Sequence, residues 1–513
     1  MISAAVLLAF APLFLAASEE AVIRTPKPAP RPRINGPSVT GSRPGGTFLY
    51  RVPATGARPM TFSAAGLPPG LVIDSSTGII TGRSEREGDY PVRLQTVNSF
   101  GTATRTIRIV IGPALAHTPP MGWSSWFAED FHISDRIVRK QADLLVSSGL
   151  AAHGYGWVNI DDGWAVKQGT NEPDYRGPER DAAGNLRSNG KFPDMKAMCD
   201  YVHGKGLKIG IYSSPGKLTC GGYPGSYGHE EQDARQFAAW GFDLLKYDWC
   251  SYDKIAKDKS LEELEKPYRI MNEALRKTGR DFLYSLCQYG MGQVWNWGRD
   301  VGGHLWRTGM DIAPSPRPVW ETMTENGFLN VGPEKPVGPG GWNDPDFLLV
   351  GHIRIGEESL PTPLTPNEQY LQVSLWSMLS APLLVSADLT KLDEFTLNLL
   401  TNDEVIAVDQ DALGGQCVRV ARHGPLEVLA KDLEDGSKAV GLFNRGELQT
   451  WMTVKWSDLR INGPRRVRDL WRQKDLGRYQ REFRALVPPH GVVLVRLAAL
   501  EHKNLRGRID RKP

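Results

Sequence analysis

Cysteine is scarce in this 513-residue chain: there are five, an odd number, and none sits in a CxxC pair. A disulfide-framed scaffold is thereby excluded, although one or two bridges remain compatible with an oxidising compartment. No HExxH or similar ligand spacing occurs, so the sequence predicts neither a metal site nor a cofactor. An excess of one charge is missing too, since 61 Lys and Arg face 58 Asp and Glu for a net charge of +3. A nucleic-acid binder carries a basic face, and nucleic acid is therefore not an expected partner. Long apolar runs are absent with one short exception, Ala4 to Ala17 in MISAAVLLAFAPLFLAASEE. That run is too short to span a bilayer and ends in small residues, the pattern of a signal peptide over 1–18, although no Lys or Arg precedes it. The expectation is a secreted or periplasmic protein without a membrane span.

What the chain does contain is 41% hydrophobic residues, 15 tryptophans and clear changes of texture, so several domains are expected. Residues 19–37 form a proline-rich linker, in which TPKPAPRPRINGP (25–37) reads as stiff and extended. Over 38–113, the runs FLYRV, LVIDSSTGIITGR, YPVRLQTVN and TRTIRIVIG alternate apolar and polar residues between turn signals. They predict an Ig-like β-sandwich. GLPPGLVIDSSTGIITG resembles a repeat of Ig-like modules appended to secreted bacterial enzymes, which makes this module a candidate for binding glycan or a cell surface. From Thr118 onward, eight strand-like runs alternate with helical segments: MGWSSW, WVNIDD, LKIGIYSS, LLKYDW, FLYSLC, LWRTGMD, GGWNDPD and PLLVSAD. This predicts a (β/α)8 TIM barrel over 116–412. Period-two alternation then predicts an antiparallel β-sandwich over 413–498, followed by a flexible basic tail, 499–513.

In such a barrel the chemistry sits at the C-terminal ends of the strands. Those ends carry Trp126, Asp161 with Asp162, Tyr212, Lys246 with Asp248, Gln288, Arg307 with Asp311, and Asp346. Any one of them is explained as a solvated strand end, and Lys246, Asp248 and Cys250 of LLKYDWC read as one exposed edge. The whole set on one rim suits sugar hydrolysis. Glycosidic cleavage needs one carboxylate that attacks or activates water and one carboxylic acid for the leaving oxygen. Trp126 offers a flat face for a sugar ring.

The motifs TPPMGWSSW, NIDDGW, KIGIYSSPGKLTCGGYPGSYGHEEQDA, LLKYDWC, LWRTGMDI and GGWNDPDF together resemble glycoside hydrolase family 27, the melibiase-type α-galactosidases. The resemblance covers roughly 116–498. It implies a retaining double displacement with Asp248 as nucleophile and Asp311 as general acid/base, carboxyls about 5–5.5 Å apart. It also implies that Asp311 is held protonated and Asp248 ionised, with Lys246 as a stabiliser on the same strand face. Asp161 and Asp162 match a pair gripping the 4- and 6-hydroxyls, Trp126 a platform, and Tyr212 a lining aromatic. Arg307 and Asp346 match groups near the 2- and 3-hydroxyls. Cys220 and Cys250 match a disulfide at the site, while Cys199, Cys287 and Cys417 read as small buried hydrophobes.

SLCQYG departs from the family's common CEW, placing Gln288 and Tyr289 near the sugar's C2 substituent and leaving open a hydroxyl or an acetamido group there. Phe347 stands in place of a commoner Met, and 174–195 is a polar insertion on the aglycone side. The implied activity is exo-hydrolysis of terminal α-D-galactosyl residues from oligosaccharides or polysaccharides. The alternatives are an α-N-acetylgalactosaminidase, an isomalto-dextranase, a β-L-arabinopyranosidase or, outside the enzymes, a non-catalytic carbohydrate-binding protein.

Overall fold

The computed structural model describes residues 22–332 and 335–500. The expected signal peptide, and the expected tail beyond Leu500, lie outside the described residues. Eight parallel strands form the central sheet: β1 Met121–Ser124, β2 Trp157–Asn159, β3 Lys208–Ser213, β4 Leu244–Asp248, β5 Leu283–Cys287, β6 Leu305–Arg307, β7 Trp342–Asp344 and β8 Leu383–Val385. Each falls within a run singled out from the sequence. β1 pairs with both β2 and β8. The ring closes just past β7, where Leu348 donates to the Leu384 carbonyl and accepts from the Ser386 N–H.

Six helices connect consecutive strands of the ring, α1 Asp135–Ser147, α2 Met195–Gly204, α3 Glu230–Trp240, α4 Leu261–Lys277, α5 Val319–Leu329 and α6 Pro366–Leu379, and two short ones, Glu394–Leu400 and Asp403–Asp409, follow β8. Between β5 and β6 the crossover holds only a single 3₁₀ turn, Val294–Asn296. The helix starts are set by local chemistry. Asp194 accepts from the Ala197 N–H at the head of α2, and Thr365 with Glu368 forms a reciprocal capping box on α6. α6 is buried on all sides because the barrel lies on one face and the C-terminal sandwich on the other. Trp471 of the sandwich donates its indole N–H to Ser374 of α6 at 2.8 Å.

Side chains alternate along a strand, and this stacks the barrel interior in layers. Leu244, Leu283, Leu305 and Trp342 make an apolar layer at the strand starts. Two residues further along the same strands come Lys246, Ser285, Arg307 and Asp344. A further step brings Asp248, Cys287 and Asp346. Lys246 and Asp248 are thus no exposed edge, since they point into the ring, where Asp248 is 5% exposed. Leu245 and Tyr247, between them, face the helices and are fully buried.

The N-terminal module is a sandwich. Val39–Ser42, Gly101–Ile111, Gly88–Asn98 and Thr61–Ala65 form one sheet, and Thr47–Arg51, Ile79–Arg83 and Leu71–Ile73 form the other. Phe48, Phe62, Ile80, Val92 and Ile109 fill it. The proline-rich segment before it is tied down rather than free. Arg33–Ile34 pairs with Ala54–Thr55, and the Thr25 N–H donates to Asn398 of the barrel at 3.1 Å. The module docks on residues that precede β2, β3 and β5. Asn35 bonds the Ala152 carbonyl, Arg51 bonds the Lys205 carbonyl, and Arg43 pairs with Asp281 at 2.6 Å. Gly46 permits the close approach at this seam, because a Cβ there would lie 2.4 Å from the Asp281 carboxylate and force it to shift. The module therefore covers the floor of the barrel, opposite the strand ends.

In the C-terminal sandwich, a six-stranded antiparallel sheet (Val418–His423, Leu426–Asp432, Lys438–Asn444, Gly491–Ala499, Arg465–Asp469, Lys474–Tyr479) faces the ribbon Thr450–Lys455/Glu482–Val487. No helix among the described residues is long and apolar enough to cross a membrane.

Candidate active site

A cleft of about 370 Å³, its open mouth included, lies at the C-terminal ends of the strands. Trp126, Asp161, Asp162, Tyr212, Lys246, Asp248, Arg307, Asp311 and Asp346 all line it, nine of the ten residues singled out for substrate or catalysis. A roomier cavity lies at the seam under the N-terminal module, but its acids are engaged: Asp243 with Arg280 and Asp281 with Arg43, both at 2.6 Å. It offers no free carboxyl pair.

Asp248 forms the floor. Its Oδ2 accepts from the Tyr212 hydroxyl at 3.1 Å and its Oδ1 from the Tyr289 hydroxyl at 2.8 Å. Burial raises its pKa, while the Lys246 ammonium and the Tyr289 bond act against that rise. Lys246 donates to Asp161 at 2.8 Å. Burial disfavours the ammonium, but the surrounding acids, Asp161 foremost and Asp248 with it, together outweigh burial and hold it charged. Asp162 accepts from the Gly221 and Gly163 N–H groups, and burial pushes its pKa up to about 6.

Arg307 bridges floor and mouth, with 3.0 Å to Asp311 and 3.1 Å to Asp346. Asp346 is 1% exposed, sits at φ +101°, and accepts from the Ile312 N–H at 2.7 Å. Burial, partly countered by Arg307, raises it to about 7. Asp311 stands at the mouth with its side chain 47% exposed. What burial it has favours the acid, but Arg307 and Lys246 overcome this and keep its pKa below the usual value. The expected protonation of Asp311 is thus opposed by the guanidinium in direct contact with it.

Gln288 is the residue that does not face the cleft. It is 1% exposed, and neither atom of its amide has a hydrogen-bond partner among the described residues. The reason is the period of β5. Ser285 and Cys287 point inward and Leu286 outward along the strand, and at its end Tyr289, not Gln288, lines the cleft. Tyr289, Phe127 and Phe347 line the cleft in addition to the expected residues, and the same alternation in SLCQYG identifies Tyr289. Trp126 is half-buried and held edge-on by Phe131 at 5.4 Å. Cys220 and Cys250 form a disulfide whose Cys220 end lines the cleft. Cys199, Cys287 and Cys417 are free and buried.

The family model described as "Alpha galactosidase A" matches residues 118–411, "Alpha galactosidase C-terminal beta sandwich domain" matches 423–497, and "Putative Ig domain" matches 31–112. The α-galactosidase of Coffea arabica is 41% identical over 399 residues, covering 77% of this chain and 97% of that one. The crystal structure of a Bacteroides fragilis protein described as a "putative alpha-galactosidase/melibiase" superposes with a TM-score of 0.83 at 36% identity, covering 93% of this chain and 100% of that one. The α-galactosidase of Saccharomyces cerevisiae, solved with raffinose, gives 0.65 at 25% identity, covering 76% and 100%. Fold and site together define a sugar-cleaving (β/α)8 enzyme carrying a β-domain before and after its barrel. The chain belongs to the α-galactosidase family, the melibiases of glycoside hydrolase family 27.

Proposed function

We propose that the protein is a secreted, retaining exo-α-galactosidase that removes terminal α-D-galactosyl residues from oligosaccharides or polysaccharides. The observation that carries this reading is the placement of two carboxyls on one cleft: Asp248 on a floor 5% exposed and Asp311 at the mouth. A blind-ended cleft admits the end of a chain, with the sugar inside and the leaving group outside. Asp248 attacks the anomeric carbon from below. Asp311, beside the leaving oxygen, delivers the proton and later takes one from water. Sugar entering the cleft strips water from Asp311 and draws Arg307 toward its hydroxyls, and both changes raise the proton affinity of Asp311. Asp161 and Asp162, fixed by Lys246 and Gly221, receive the hydroxyls at the far end.

The Tyr289 ring occupies the inward position after Cys287, which favours a C2 hydroxyl over an acetamido group. Raffinose, the ligand of the yeast relative, is an α-galactoside and fits the proposed substrate class. Export is supported by the apolar leader and by a disulfide at the site, and intact mass of protein from culture fluid checks removal of the leader. The enzymatic test is hydrolysis of p-nitrophenyl α-D-galactoside with the product anomer followed by NMR. α-Galactose is expected first. Initial release of the β-anomer, or preference for the N-acetyl analogue, would overturn the reading.

A further inference from the structure

Each oxygen of Asp248 carries a phenol, and the two phenols differ in freedom. Tyr212 belongs to β3 and is 2% exposed, with its ring 5.2 Å from the Lys246 ammonium and its hydroxyl 3.5 Å from Cys250 Sγ. It is locked by packing. Tyr289 lies beyond the end of β5, half-buried, at φ +62°, and Gly290 and Gly292 follow it at +84° and +61°. A residue with a Cβ is strained in that conformation, and a glycine-rich loop re-orients more readily than a strand.

A carboxylate oxygen that bonds to an anomeric carbon loses most of its charge, and the sugar takes the space in front of it. Whatever donated to that oxygen has to withdraw, and only one of these two donors can. We propose that Asp248 attacks through Oδ1, and that Tyr289 is a positioning residue that caps this oxygen and releases it to the arriving sugar. Tyr212 remains on Oδ2 throughout. The inference rests on the reading of Asp248 as the nucleophile.

The step balances. The Oδ1–C1 bond forms as the glycosidic C1–O bond breaks, and the leaving oxygen takes its proton from Asp311. Water then attacks C1, gives its proton to Asp311, and the ester bond returns its electron pair to Oδ1, where Tyr289 bonds again. Tyr289 keeps its own proton and changes only its acceptor. The cap compensates for burial until the sugar arrives, since Asp248 must stay ionised among apolar and like-charged neighbours. Lys246 on its own strand favours the anion. Asp161 after β2, Asp311 after β6, Cys287 on β5 and Tyr268 on α4 do not.

The test is a crystal structure of the wild-type enzyme trapped with a fluorinated galactosyl fluoride whose adduct hydrolyses slowly. The ester is expected on the Asp248 oxygen facing Tyr289, with the Tyr289 hydroxyl moved out of hydrogen-bond range and Tyr212 still bonded to the other oxygen. An ester on the Tyr212 side, or an unmoved Tyr289, overturns the inference. In solution, Tyr289→Phe moves the acid limb of the kcat/KM profile to higher pH, because Asp248 loses a bond that lowers its pKa. A merely structural role would depress activity without moving the limb, and that result also counts against the cap. An adduct on a different residue, or inverted product, means instead that the reading of Asp248 has failed.

Discussion

Replacing both halves of the Cys220–Cys250 bridge by serine probes how the nucleophile's strand is anchored. The cysteines are 30 positions apart. Closing a loop of that size removes unfolded-state entropy equivalent to roughly 3.5–4 kcal/mol at 25 °C. In a barrel of this size about 2 °C accompanies each kcal/mol, so the variant should melt about 7 °C lower. The fold should survive, because three hydrogen bonds hold the same loops together independently of the sulfurs. Ser214 Oγ donates to the Cys250 carbonyl at 2.6 Å, and Ser251 Oγ both donates to the Leu218 carbonyl and accepts from its N–H. Activity should fall as well, since Cys250 is two residues past Asp248 and Cys220 walls the cleft. Differential scanning calorimetry of the Cys220→Ser/Cys250→Ser protein, set beside galactoside kinetics, measures both effects. Cys199, Cys287 and Cys417 are free thiols, so the Cys220–Cys250 bridge is the group a reductant opens in wild type. A melting point within about 1 °C of wild type, with unchanged kcat, would refute the loop-entropy argument.

Asp248→Asn should abolish turnover while galactose still binds, read by calorimetric titration. Lys246→Met should move the acid limb of kcat/KM upward, since the ammonium opposes the burial-driven rise of Asp248. Asp162 binds its proton more tightly folded than unfolded, so its contribution to stability is full below pH 3.8 and is lost as pH rises through about 6. The change is at most about 3 kcal/mol, and Asp162→Asn should flatten the dependence of melting temperature on pH across that window. Arg43→Ala should cost about 1–2 kcal/mol in chemical denaturation by freeing the Asp281 carboxylate at the barrel floor, and should leave kcat/KM unchanged.

The barrel was legible because eight strand-like runs alternate with helical stretches, and the polar residues at or just past the ends of those runs fall on one rim. The same argument located nine cleft residues. Gln288 was misplaced because it was matched to the family's acid by position, although counting inward from Ser285 in steps of two lands on Tyr289. The protonation of Asp311 could not be read from WRTGMD, which contains both Arg307 and Asp311. Which influence prevails depends on a 3.0 Å contact and on a half-exposed side chain, quantities that only folding sets. Placement of the N-terminal module was equally hidden, since Arg43 and Asp281 are 238 positions apart and each is unremarkable alone. Composition marks the proline-rich segment as extended but says nothing of the Asn398 that receives it.

Because the Ig-like module grips the barrel from behind, anything it adheres to would hold the enzyme by its back. The catalytic mouth would then look away from that anchor, toward glycans arriving from the surrounding fluid. An enzyme held that way would graze on neighbouring chains and leave the tether itself uncut.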